Sequence, residues 1–156
     1  MLNTKDGVLL TKEGFKQLEE ELQMREGEIK EKLQDTLNQM RDQGDLKEND
    51  GYSIAVEEFQ NNEERILEIK DILKKAEIVN KKHANIVEVG SKVTIEDDNG
   101  KQQTYNIVGS NEANPLEKKI SYDSPMGSSL MGKKKGSHTL IDLPSGKVSY
   151  KIVDIE

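Results

Sequence analysis

The sequence predicts an α+β protein in two parts, a helical hairpin over residues 1–80 and a small β-rich domain over residues 81–156. Apolar residues recur at helical spacing in two long stretches joined by a short turn. After Lys82 the pattern changes to short alternating segments separated by turn clusters. Hydrophobic residues make up only 33% of the 156 and charged residues 34%, with two Phe and no Trp, which is too little apolar mass for one large core. An elongated molecule is expected.

The first helix is expected from Thr11 to about Arg41, a stretch without proline in which Phe15, Leu18, Leu22, Ile29, Leu33, Leu37 and Met40 mark one face. Thr11 is its N-cap and Glu13 suits its first turn, and Gly44 supplies the residue on which helices commonly end. The second helix is expected from about Glu48 to Val79, with Tyr52, Ala55, Phe59, Asn62, Ile66, Ile69, Leu73 and Ala76 alternating gaps of three and four in the manner of a coiled-coil heptad. Only a few residues connect the two, so they must fold back antiparallel. Equal distance from the turn pairs Met40 with Tyr52, Leu37 with Ala55, Leu33 with Phe59, Leu22 with Ile69 and Phe15 with Ala76. Arg25 interrupts the stripe, and Ile29 falls opposite Asn62 and Glu63. Arms of about 30 residues would reach roughly 45 Å.

Strands are expected at Lys92–Glu96, Thr104–Val108, Thr139–Leu143 and Val148–Ile155, separated by turns such as Asp98-Asn99-Gly100 and Pro144-Ser145-Gly146. Ser128–Gly136 reads as a short helix or a loop. It contains the only dense basic run, Lys133-Lys134-Lys135, which reads as solvated.

Charge narrows the function. Residues 1–80 carry 12 Lys/Arg against 20 Asp/Glu, a net of −8, and residues 81–156 carry 11 against 10, a net of +1. The overall −7 argues against a protein that grips nucleic acid through its phosphates. Cysteine is absent, which excludes disulfides and thiolate metal sites. His83 and His138 are isolated and read as surface residues. No apolar run is long enough to span a membrane and no signal peptide is evident, so a soluble cytoplasmic protein is expected.

The turn between the helices, Arg41 to Tyr52, holds four carboxylates in its first ten residues. In a structural reading Gly44 ends the first helix, Asp45 caps the second, and Glu48 completes the capping box. In a functional reading Asp45 and Glu48 share one helical turn and present oxygens outward. Oxygen donors suit Mg²⁺, but two carboxylates make a weak site, adequate only where another macromolecule already holds a metal and a phosphodiester.

The run Arg41-Asp42-Gln43-Gly44-Asp45-Leu46-Lys47-Glu48-Asn49-Asp50-Gly51-Tyr52 resembles the tip signature of the Gre family of bacterial transcript-cleavage factors. Arg41, Gly44, Asp45, Leu46, Glu48, Asn49 and Tyr52 stand at the family spacing. Leu10-Thr11-Lys12-Glu13-Gly14 resembles the family's opening, and Glu64-Arg65-Ile66 and Leu73-Lys74-Lys75-Ala76 the end of its second helix. Val89-Gly90-Ser91-Lys92-Val93, Ile107 to Ala113, Ile120-Ser121, Ser124-Pro125 and Leu130-Met131-Gly132-Lys133 resemble C-terminal Gre segments in the same order. The resemblance covers roughly Leu9 to Ile155.

It implies an FKBP-like C-terminal domain and a monomer that enters the secondary channel of bacterial RNA polymerase. It further implies that Asp45 and Glu48 help to hold a Mg²⁺ shared with the polymerase, with none bound by the isolated protein, and that Arg41, Asn49 and Tyr52 support the tip. By the same resemblance the loop of Asp123, Ser124 and Pro125 docks on the channel rim. The nascent RNA 3′ end is then cut by the polymerase itself, so the chain is a stimulating factor and not an enzyme.

This sequence also departs from the family pattern. Asp50-Gly51 replaces the usual Ala-Glu, and glycine in a first helical turn costs about 1 kcal/mol relative to alanine. Val56 replaces a usual Lys or Arg, and Met40 and Asp42 replace the common Ala and Glu. These changes leave open a paralogue that binds the channel without efficient cleavage or inhibits the polymerase. Two other classes fit the sequence less well. A prolyl isomerase needs an aromatic-lined pocket, for which residues 81–156 offer only Tyr105, Tyr122 and Tyr150. A dimerisation coiled coil leaves the order of C-terminal segments unexplained.

Overall fold

The computed structural model describes residues 7–44 and 50–156. In chain order the elements are β1 (Val8–Leu10), α1 (Lys12–Met24), a π turn (Arg25–Ile29), α2 (Lys30–Arg41), α3 (Asp50–Lys75) and β2 (Ala76–Ile78). Then follow β3 (Lys92–Asp97), β4 (Gln102–Val108), β5 (Lys119–Ser121), α4 (Pro125–Leu130), β6 (His138–Leu143) and β7 (Gly146–Ile155). The architecture is α+β, as the sequence predicts. The chain divides into two compact units, Phe15–Lys75 and the remainder. This division differs from one at residue 80: residues 7–14 and 76–80 belong with the C-terminal unit.

In the helical unit the first arm is not one helix. It breaks at the π turn, where Gly27 leaves helical geometry (φ −99°, ψ −106°). The spacing explains the break. Leu18, Leu22, Arg25, Ile29, Leu33 and Leu37 end in three successive gaps of four, whereas the facing stripe on α3 keeps alternating three and four. The first arm thus carries one residue more between matched layers, and a π turn, closing i to i+5, takes up one extra residue. Glycine, the weakest helix former after proline, marks where it is taken up.

Polar groups bridge the arms at the break. Asn62, only 3% exposed, donates from Nδ2 to the carbonyl oxygen of Arg25 at 3.1 Å, and Arg25 Nη1 donates to Asn62 Oδ1 at 3.2 Å. Arg65 grips both oxygens of Glu21 at 3.0 and 3.1 Å, and Arg25 shares that carboxylate at 2.7 Å. Arg65, and to a lesser degree Arg25, hold the Glu21 carboxyl below the usual carboxylate range against the opposing effect of burial. Lys30 pairs with Glu63 at 2.9 Å and Lys70 with Glu26. The Lys30–Glu63 pair falls within a residue of the register deduced from the turn, whereas Asn62 meets Arg25, one helical turn from the expected Ile29. Leu37, Ala55, Ile66, Ile69 and Ile72 are buried, so near the base Ile72 replaces the expected Leu73 as the buried residue.

The second helix ends at Lys75 instead of Val79. Ala76–Ile78 form β2, parallel to β1, with Val8, Leu9 and Leu10 opposite Ala76, Glu77 and Ile78, and Val79 N donates to Leu10 O at 2.9 Å. The expected pairing of Phe15 with Ala76 is therefore corrected: Ala76 is a strand residue of the other unit. Strand pairing overrides the helical periodicity here, as β-branched Ile78 and Val79 permit.

The C-terminal unit contains a five-stranded mixed sheet in the order β5-β4-β3-β7-β6, parallel between β4 and β5 and antiparallel elsewhere. Alternation puts Val93, Ile95, Ile107 and Ile152 on one face, where Val87 and Leu130 join them in a fully buried cluster. Each such side chain contributes about 1.5–3 kcal/mol on burial. All four expected strands form. Helix α4 starts three residues before the expected Ser128, because Ser124 caps it and Pro125 opens its first turn.

Candidate functional site

At the turn end of the hairpin, α2 closes on Arg41 with Asp42 N donating to Asn38 O at 3.2 Å. Gly44 turns the chain at φ +137°, a conformation that side chains oppose. Helix α3 then opens with Asp50 in its first turn, where the helix dipole favours a carboxylate. Arg41 is exposed and Tyr52 half-buried. Gly51, a weak helix former, nevertheless lies within α3. The expected tip acids Asp45 and Glu48, with Asn49, lie outside the described residues. Among the described residues no three His, Asp or Glu side chains converge as metal ligands would.

The loop Asp123-Ser124-Pro125 is built in detail. Asp123 is exposed, and its two oxygens accept from different hydroxyls, Oδ1 from Ser121 and Oδ2 from Ser110 at 2.8 Å. Ser121 first and Ser110 second hold the Asp123 carboxyl below the usual carboxylate range. Ser124 Oγ donates to Ser121 O at 2.7 Å and accepts from Gly127 N at 3.0 Å. Gly127 is buried so tightly that a Cβ would lie 1.9 Å from Ser121 O. The result is a carboxylate held charged and aimed outward on a rigid helix start.

Sequence reasoning gave Ser110, Ser121 and Gly127 no role. The Ser-x-Asp-Ser-Pro spacing carried a signal, since serine and aspartate side chains at such offsets habitually close local turns. Ser110, thirteen residues upstream, gave none. Nor did Glu112, whose carboxylate accepts from Thr11 N at 2.9 Å, Gly109 N at 3.1 Å and the Thr11 hydroxyl. Thr11 Oγ1 in turn accepts from Gly14 N at 3.0 Å, the N-cap bond expected of it. Glu112 thereby fastens the β1–α1 junction to the turn that follows β4.

Comparison with known proteins covers both regions. Residues 8–78 match the family described as "Transcription elongation factor, N-terminal", and residues 81–156 match "Transcription elongation factor, GreA/GreB, C-term". The chain belongs to the GreA/GreB family. Among relatives, transcription elongation factor GreA of Amoebophilus asiaticus is 38% identical over 148 residues, covering 93% of this chain and 94% of that protein. GreA of Lachnoclostridium phytofermentans is 39% identical over 151 residues, covering 95% and 94%. Among solved structures, GreA factor homolog 1 (Gfh1) of Thermus thermophilus is 31% identical, covers 96% of this chain and 99% of that one, and superposes with a TM-score of 0.44. For the GreA/GreB family the two matched regions meet near residue 80, while the compact units put residues 7–14 with the C-terminal sheet.

Proposed function

We propose that the chain is a transcription elongation factor that enters the secondary channel of bacterial RNA polymerase and stimulates cleavage of backtracked RNA, the polymerase supplying the active site. One observation carries this reading: both GreA/GreB regions follow in order, and within the first of them the sequence between α2 and α3 retains Asp45 and Glu48 at the family spacing. The two carboxylates accept hydrogen bonds from the attacking water and orient it toward the scissile phosphodiester, whose P–O3′ bond breaks as the new P–O bond forms. A Mg²⁺ shared with the polymerase, which Asp45 and Glu48 would help to hold, would supply Lewis acidity there. Two oxygen donors suit such an ion, which normally takes one or two protein carboxylates beside waters and phosphate. Arg41 and Tyr52 flank the turn on α2 and α3, and Asn49 precedes α3; together they support the acids. Tethering brings a feeble ligand pair to a high effective concentration.

Asp123, Ser124 and Pro125 dock the C-terminal unit on the channel rim. The departures at Asp50-Gly51 and Val56 favour a second reading, occupancy of the channel without efficient cleavage. Stalled, backtracked complexes given Mg²⁺ and the purified protein separate the two. Release of short 3′ RNA fragments that disappears with Asp45→Asn or Glu48→Gln, while polymerase binding persists, is the expected result. Tight binding with no fragments from the unaltered chain overturns the cleavage reading in favour of the second.

A further inference from the structure

A cleft in the C-terminal unit lies apart from the Asp123 loop and has no part in the activity proposed above. The segment Val79–Val89 and the turn Met131-Gly132 enclose about 440 Å³, open to solvent. Its floor is aliphatic, formed by Val79, Ile86, Val87, Val89 and Met131. Its walls are fixed by backbone bonds: Val87 N donates to Lys133 O and Gly132 N to Val87 O, each at 2.9 Å, and Ile86 pairs antiparallel with Lys134. Residues opposite each other in an antiparallel pair share a face, so Lys134 stands beside Ile86 at the cleft. Lys82 lines the rim.

The rim carries Lys82 and, next to the lining, Lys134, against a single carboxylate. Glu88 is its one carboxylate and is already engaged, accepting from Lys82 N at 2.8 Å and His83 N at 3.2 Å and pairing with His83 Nδ1 at 2.6 Å. Lys135 pairs with Asp154 at 3.2 Å. Among the described residues no carboxylate pairs with Lys82, Lys133 or Lys134. In a chain of net charge −7, Lys82 on the rim and Lys134 opposite Ile86 give this aliphatic floor a local excess of positive charge over Glu88.

We propose that this cleft is a second docking groove, which takes an acidic segment of the partner protein with one aliphatic side chain over Ile86 and Met131 and flanking carboxylates on Lys82 and Lys134. The inference rests on RNA polymerase being that partner. A protein segment fits better than RNA: the lining has no aromatic side chain on which a base could stack, whereas an aliphatic floor with a few charges at its edge suits an apolar side chain between acids.

The test uses the full chain with purified bacterial RNA polymerase core enzyme. Lys82→p-benzoylphenylalanine, on the exposed rim, is irradiated in the complex and the crosslinked peptide identified by mass spectrometry. Ser128→p-benzoylphenylalanine, exposed on α4 beside the Asp123 loop, is run in parallel. The expected product from position 82 is a polymerase segment with an aliphatic residue flanked by Asp or Glu. The double variant Lys82→Glu/Lys134→Glu should bind about tenfold more weakly with a shallower salt dependence. A crosslink from position 128 but none from 82, a crosslink from 82 to RNA or to a segment without acids, or wild-type affinity in the double variant overturns the groove and leaves the polymerase reading intact. Silence from both positions removes the polymerase reading and the groove with it.

Discussion

Gly127→Ala probes how firmly the Asp123 loop is set. The added Cβ would lie 1.9 Å from Ser121 O, 2.8 Å from Ser121 C and 3.0 Å from Ser124 Oγ. An ordinary contact requires about 3.5 Å, so the two backbones must part by roughly 1.5 Å. A shift of that size breaks the Ser124 cap bond to Gly127 N and the Ser124 bond to Ser121 O, now 3.0 and 2.7 Å. Two hydrogen bonds at about 1 kcal/mol each, with about 1–3 kcal/mol of overpacking partly relieved by the shift, give a loss of about 2–4 kcal/mol. The unfolding transition of the C-terminal unit should fall by about 10–30 °C. Amide hydrogen exchange localises the effect: the amides of Ser128 and Met131, bonded to Ser124 O and Gly127 O at 2.8 and 3.0 Å, should lose protection first. RNA fragment release should fall in the same variant. Asp123→Ala removes only an exposed carboxylate and should lower fragment release with little change in melting. Gly127→Ala that keeps its melting temperature and the protection of both amides would refute the argument, because no room for the methyl exists without that movement.

Two further outcomes follow from the same physics. Asn62→Ala should destabilise the hairpin by about 1–3 kcal/mol in urea titration, since it leaves the Arg25 carbonyl and guanidinium without their cross-arm partner, and Arg25→Met/Asn62→Leu should recover only the part due to the guanidinium, because the Arg25 carbonyl remains. The Asp123 carboxyl, followed by ¹³C NMR, should titrate below the free value of about 4 and return toward it in Ser110→Ala/Ser121→Ala. Because its folded pKa is depressed, its contribution to stability is full above about pH 4 and is lost as pH falls through the folded value; a normal titration in the unaltered chain would contradict the hydroxyl bonds described.

The long elements were legible because their periodicity is repeated often enough to outvote exceptions. Seven heptad positions on α3 and four alternating strands needed no tertiary information. The misses are of two physical kinds. Three-residue strands such as β1, β2 and β5 hold too few residues to express a period, and β1 pairs with β2 across the whole helical region. The π turn was visible only as an arithmetic mismatch between two stripes, which appears once both arms are counted against each other and is hidden when each is read alone. At the functional loop, Asp123, Ser124 and Pro125 were found through family spacing. Ser110, which supports Asp123, and Glu112, which holds Thr11, act from a short turn after β4 through contacts that no local pattern encodes.

Because β1 and β2 lie hydrogen-bonded side by side, the chain leaves the sheet-bearing unit just after β1, at Gly14, and returns to it at Ala76, where β2 begins. All that lies between is a cassette. Splicing one heptad into each arm would lengthen it by about 10 Å while every strand keeps its neighbour, so reach can be tuned by insertion in register without redesigning the body that carries it.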